Sequence, residues 1–322
     1  MRVRALSWVL LRQGRLDEAE AELTEAMKEQ ELQRVSDPEL AYMRLNLLLK
    51  RSRSRDFTRL VDSVGLEWRG GLARGAISAF SALTGRLGWY TAFADTLLGG
   101  VLKLPPPMVR QGEEAAPITL GVGGDSAAAA EAQLVAGFFP GPCGSFCATA
   151  LRAGIRFGLR LPRARWPALD STGPCLCEAP ARALARGDTA GLRVAARALD
   201  SVSRAVAGAG VPEDGTSAIA ADALLLLGDT LAALNAVRRM MDTTLVVTPL
   251  ETVLPGGGLQ IAGFLWPRGM LQRAELAAAL GQKEEARLWY GRFIELWAGA
   301  DVRFQPIVEQ ARAAYRALGG SS

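Results

Sequence analysis

Histidine is missing from all 322 residues of the chain. That absence removes serine–histidine and cysteine–histidine catalysis, histidine-ligated zinc or haem, and histidine-based pH switching. Lysine is scarce, confined to Lys28, Lys50, Lys103 and Lys283, so arginine carries nearly all the positive charge. The 37 basic side chains stand against 33 acidic ones, and a net charge of +4 is too mild at this length to argue for a nucleic-acid partner. The protein-kinase catalytic loop and the phosphate-cradling Gly-x-x-x-x-Gly-Lys-Ser/Thr motif do not occur. The carboxylates offer no acid/base pair; those of residues 17–31 fall on a helix surface, where charge runs solubilise.

Long hydrophobic runs are lacking too. No window reaches the ~18–20 uncharged apolar residues of a spanning helix; the nearest approach, Leu87 to Leu104, contains Asp95 and Lys103. Met1-Arg2-Val3-Arg4 followed by Ala5 to Leu11 has the outline of a short signal peptide, but Arg12 and Gln13 interrupt it and no small-x-small site follows. The expectation is a soluble, cytoplasmic protein without a membrane span. With 49% apolar residues, the chain has enough material for a large core.

What is present is repetition. The turn Gly14-Arg15-Leu16-Asp17-Glu18-Ala19 recurs as Gly281-Gln282-Lys283-Glu284-Glu285-Ala286, with related turns at Gly187-Asp188-Thr189 and Gly228-Asp229-Thr230. Apolar residues at helical spacing flank each one. Val3, Leu6, Ser7 and Leu10 precede Gly14; Ala19, Leu23 and Ala26 follow it. Ala274, Ala277 and Ala278 precede Gly281, with Ala286, Tyr290 and Phe293 behind. Ala221, Leu224 and Leu225 precede Gly228, with Ala233, Val237 and Met240 behind; Leu192, Ala196 and Leu199 follow Gly187. Glycine closes the first helix because it tolerates the left-handed conformation. An Asp or Thr just beyond can accept from free backbone N–H groups and open the second helix. Neither helix buries its stripe alone, so neighbouring pairs must stack.

The strings 10–23 (Leu-Leu-Arg-Gln-Gly-Arg-Leu-Asp-Glu-Ala-Glu-Ala-Glu-Leu) and 273–290 resemble tetratricopeptide repeats. The glycine spacings of 41 residues (187 to 228) and 53 (228 to 281) depart from the regular ~34-residue unit, so the copies are degenerate. The resemblance implies an all-α, tetratricopeptide-like superhelix, or solenoid, whose first helices line a concave groove. It would place Arg4, Trp8, Arg12, Asp222, Arg268 and Glu275 on that groove, a mixture suited to gripping a protein or peptide partner without a cofactor. The stretch from Phe293 to Leu318 also resembles helical tails of bacterial signalling and regulatory proteins, which implies a regulatory scaffold or a detached regulatory half beside a separate catalytic subunit.

The expected organisation is an N-terminal helical repeat region (1–104), an irregular Pro/Gly-rich middle (105–179) and C-terminal helical repeats (180–320). Ser36-Asp37-Pro38-Glu39 predicts a helix start, with helices through Leu49, over Phe57–Leu66, and near 72–84 and 88–102. Helices are also expected at 125–137 and 145–158; Thr244-Leu245-Val246-Val247 is strand-like but supports no sheet.

Several features carry a second reading. Lys50-Arg51-Ser52-Arg53-Ser54-Arg55 with Arg59 is either an acidic-partner patch or, the preferred reading, a solvated turn between helices. Cys143, Cys147, Cys175 and Cys177 could form a zinc or thiol-redox site, against the simpler reading of four small buried residues. Gly121-Val122-Gly123-Gly124-Asp125-Ser126 lacks the βαβ unit of a dinucleotide loop and reads as a linker. Trp289, Tyr290, Phe293 and Trp297 read as core.

Overall fold

The computed structural model describes residues 6–7, 9–11, 13–33, 38–64, 83–86, 179–180, 183, 186–208, 216–243 and 261–320. Among these, the regular structure is helical, with no strand. The helices delimited among the described residues are, in order, α1 Leu16–Gln33, α2 Pro38–Lys50, α3 Ser54–Val64, α4 Thr189–Gly208, α5 Thr216–Leu226, α6 Thr230–Thr243, α7 Ile261–Ala279, α8 Lys283–Leu296 and α9 Gln305–Ala317. A short 3₁₀ turn, Val302–Phe304, leads into α9. The helices expected at 125–137 and 145–158, the Thr244–Val247 run, the Gly121 loop and the cysteines lie outside the described residues; of the helix expected over 72–84, only Leu83 and Thr84 are described.

Several of the described turns share one hydrogen-bonding scheme. The residue in the left-handed conformation donates its N–H three residues back, and its successor donates five back. At Gly14 these bonds reach the carbonyls of Leu11 and Leu10; at Gly228, Leu225 and Leu224; at Gly281, Ala278 and Ala277. This is the Schellman closure, which satisfies carbonyls that a helix end otherwise leaves open. Gly319 repeats it after α9, with bonds to Arg316 and Tyr315. A further copy has no glycine: Ser52, at φ 59°, donates to Leu49 while Arg53 donates to Leu48. Beyond Gly187 and Gly228 the expected caps form. Asp188 Oδ1 accepts from the Gly191 N–H at 2.7 Å, and Asp229 Oδ1 from the Ala232 N–H at 3.1 Å.

Each helix of α4 to α9 packs against its successor, as do α1 on α2 and α2 on α3. The predicted stripes form the interior: Leu10, Ala19, Leu23 and Ala26; Leu192, Ala196 and Leu199; Ala221, Leu224, Ala233, Val237 and Met240; Ala274, Ala277, Ala286, Tyr290 and Phe293 are all buried. Three described stripe members differ: Leu6 and Leu225 are exposed, and Ala278 is only partly buried.

Helix α2 is apolar nearly all round, and the fold uses both of its faces. Leu40, Met43 and Leu47 join Leu10, Leu11, Ala19 and Leu23 in one cluster. Leu45, Leu48 and Leu49 face the larger cluster, which they share with Phe57 of α3 and the interior of α4–α9. Helix α3 packs on α8, so the N-terminal helices complete the same interior as the C-terminal ones. In that interior Trp297 stacks on Phe293 (centroids 5.1 Å apart) and tilts against Phe304 (5.4 Å). Its indole N–H donates to the Leu83 carbonyl at 2.8 Å, and the Asp301 N–H donates to the Gly85 carbonyl at 2.9 Å. Gly85 takes φ 68°, and a Cβ there would stand 2.8 Å from the Ala300 Cβ. No helix among the described residues is long and apolar enough to cross a membrane.

Candidate functional site

Helix α8 presents Glu285, Trp289 and Arg292 at intervals of four and three, which places them on one face. The turn before α8 adds Gln282, α6 adds Arg238 and α7 adds Arg273. Glu285 Oε1 accepts from Arg238 Nε at 3.0 Å and from Arg273 Nε at 2.7 Å. Its other oxygen meets Arg238 Nη2, which also donates to Gln282 at 2.7 Å. These bonds, led by the one from Arg238, hold the Glu285 carboxyl below its usual range against the opposing effect of burial. The same bond raises the Arg238 guanidinium.

Two guanidiniums meet one indole here. The Cζ atoms of Arg273 and Arg292 each lie 4.4 Å from the Trp289 ring centroid. Arg273 is anchored by Glu285 and by Asp242 at 3.5 Å. Arg292 is not: among the described residues no carboxylate pairs with it, and its Nε is buried without a hydrogen-bond partner. Burial first, and Arg273 second, lower its affinity for the proton. Trp289 is itself nearly covered, so the expectation of core packing holds for its ring, while its neighbour Arg292 has no counter-charge among the described residues.

Of the six residues expected on a groove, three are described, and two of those lie in the interior. Arg4, Trp8 and Arg12 lie outside the described residues, as do Cys143, Cys147, Cys175 and Cys177. Asp222 and Arg268 were expected to be exposed; they are 4% and 2% exposed. Asp222 accepts from Gln272 Nε2 at 2.8 Å, tying α5 to α7, and Arg268 reaches Glu275 at 3.5 Å. A buried carboxylate and a buried guanidinium must be bonded within the protein to offset their desolvation, which is why these two turn inward. Glu275 alone of the three is exposed, and it helps burial push the Tyr290 hydroxyl up to about 12.

The basic run 50–55 is a turn between helices, as expected, and its arginines are paired with acids while Arg53 and Arg55 stay exposed to solvent. Arg51 meets Asp17 and Glu20; Arg53 meets Glu20 and Asp56; Arg55 meets Glu295 at 3.0 Å. Lys50 Nζ donates to the Asp242 backbone carbonyl at 2.7 Å, and desolvation lowers its pKa to about 8. Among the described residues no cluster of Cys, Asp and Glu has the make-up of a metal site.

The Arg238–Glu285–Arg273–Trp289–Arg292 group was missed because Trp289 reads as core and Glu284-Glu285 as part of the recurring turn. The available signal was the Trp289–Arg292 spacing, one helical turn, which brings a cation over an aromatic face. Comparison of the chain with protein-family models, curated proteins and solved structures finds no match.

Proposed function

We propose that this chain is a non-catalytic interaction module, a degenerate tetratricopeptide-like ladder of helical hairpins that binds a protein or peptide partner. The observation that carries this reading is the reuse of one Schellman-closed turn between helices that pack on their successors. Such ladders offer extended preformed surfaces, and affinity then comes from a few anchors with little ordering cost. Arg4, Trp8, Arg12 and Glu275 remain the proposed groove residues; Asp222 and Arg268 serve the interior instead.

Selection of displayed random peptides against the intact chain tests the proposal, with affinities then measured by calorimetry. The expected result is an enriched peptide whose affinity falls about tenfold or more, roughly 1.4 kcal/mol, when Arg4, Trp8 and Arg12 are replaced together by alanine. Absence of any enriched peptide overturns the module reading. Undiminished affinity in the triple variant removes this groove.

A further inference from the structure

The geometry points to a carboxylate-binding site at Arg292, where an acidic side chain of a peptide partner completes the cluster on α7 and α8. Every other guanidinium in the cluster has its anion: Arg238 has Glu285, and Arg273 has Glu285 and Asp242. Arg292 has an indole and a second cation beside it, and no acid among the described residues. A half-buried charge flanked by a like charge is unfavourable until an anion arrives.

The site is built more than it is exposed. The Trp289 ring, fixed in the interior, holds the Arg292 guanidinium over its face. Arg292 is half-buried and its Nε is buried without a hydrogen-bond partner, so the proposed contact is with the Nη edge. Two coplanar carboxylate oxygens match the two N–H groups of that edge. One uncompensated charge calls for one negative charge, which favours a carboxylate over a phosphate dianion. Arg273 stands behind as a second, already oriented cation that strengthens the local field. This site lies on α8 and does not depend on the Arg4–Trp8–Arg12 groove.

The test is a titration followed by the side-chain Nε–H resonances of ¹⁵N-labelled arginine in the intact protein, with Arg292 assigned through Arg292→Lys. The probe is a short glutamate-containing peptide, with glutamine and phosphoserine versions as controls. The expected result is a saturable shift at Arg292 and the Trp289 indole with the glutamate peptide, and binding weaker by about tenfold with the glutamine version. Arg292→Met, which keeps the apolar stem, should lose the preference for glutamate while melting no lower than the parent protein. Equal binding of the glutamate and glutamine peptides, no saturable shift at Arg292, or unchanged preference in Arg292→Met each overturns the proposal. Tighter binding of the phosphoserine peptide overturns the choice of carboxylate. The Arg4, Trp8 and Arg12 triple variant should give the same Arg292 shift, so failure here and failure of the groove are separate results.

Discussion

Two arginine-rich regions flank equivalent turns and have opposite outcomes. Around Ser52 the sequence is densely basic, yet Arg51, Arg53 and Arg55 all find acids, drawn from α1, α3 and α8. Around Gly281 the sequence is locally acidic, with Glu284, Glu285 and Glu295, yet Arg292 has no acid partner among the described residues. Charge density along a sequence therefore predicts neither a free patch nor a neutral one. The fold decides by which helix faces meet, and Glu295 goes to Arg55 across the α3–α8 contact.

The sharpest way to break this comparison is to remove the shared acid in each region. Glu285 is largely buried and serves two arginines, so Glu285→Gln leaves Arg238 without its carboxylate and Arg273 with only the more distant Asp242. The expected cost is about 2–3 kcal/mol, read as a fall in the urea midpoint at constant slope. Glu20 also serves two arginines, but its side chain is 37% exposed. Water and salt screen it, so Glu20→Gln should cost less than about 1 kcal/mol. Equal costs would show that the two networks are alike and that the contrast between them is only apparent.

The turns sharpen the comparison at a smaller scale. A Cβ at Gly281 would meet no atom within 4 Å, so Gly281→Ala carries only the penalty of left-handed backbone, about 1–2 kcal/mol. Ser52 already bears that penalty, at φ 59° in the same closure. Ser52→Gly should accordingly stabilise by about 0.5–1 kcal/mol in thermal or urea unfolding. A loss of stability would mean that the Ser52 hydroxyl contributes more than the backbone strain costs.

The same turns mark what was legible. Glycine beside a helical stripe identified the turns at Gly14, Gly187, Gly228 and Gly281, with a capping Asp directly behind Gly187 and Gly228, because closure and stripe are local and agree with one another. Ser52 escaped because a serine in left-handed backbone has no local signature. Partner choice was not legible either. Nothing near Phe57 in sequence announces that α3 would pack on α8, since only long-range burial selects that neighbour. For the site, spacing put Asp222 and Arg268 on the first helices of their pairs, and α5 and α7 do bring Asp222 to Gln272. What spacing could not tell is whether those faces meet solvent, and both residues turned out to be interior. Arg292 was invisible for the converse reason: an unpaired charge is defined by what fails to surround it in three dimensions.

Lys50 supplies the mildest test, because it joins the two regions. Its ammonium reaches the carbonyl of Asp242, whose carboxylate holds Arg273. Desolvation brings the pKa down from 10.5 to about 8 in the folded chain. A lysine depressed on folding binds fewer protons in the native state than in the unfolded one, so stability rises with pH between about 8 and 10.5. Below that window both states are protonated and the full burial penalty remains. Lys50→Met removes the titration, so the variant's melting temperature relative to the parent should be highest near neutral pH and decline as pH passes through that window. A difference that stays flat from pH 7 to pH 10 would mean that Lys50 keeps its ordinary proton affinity and that its amine is solvated rather than held between the two clusters.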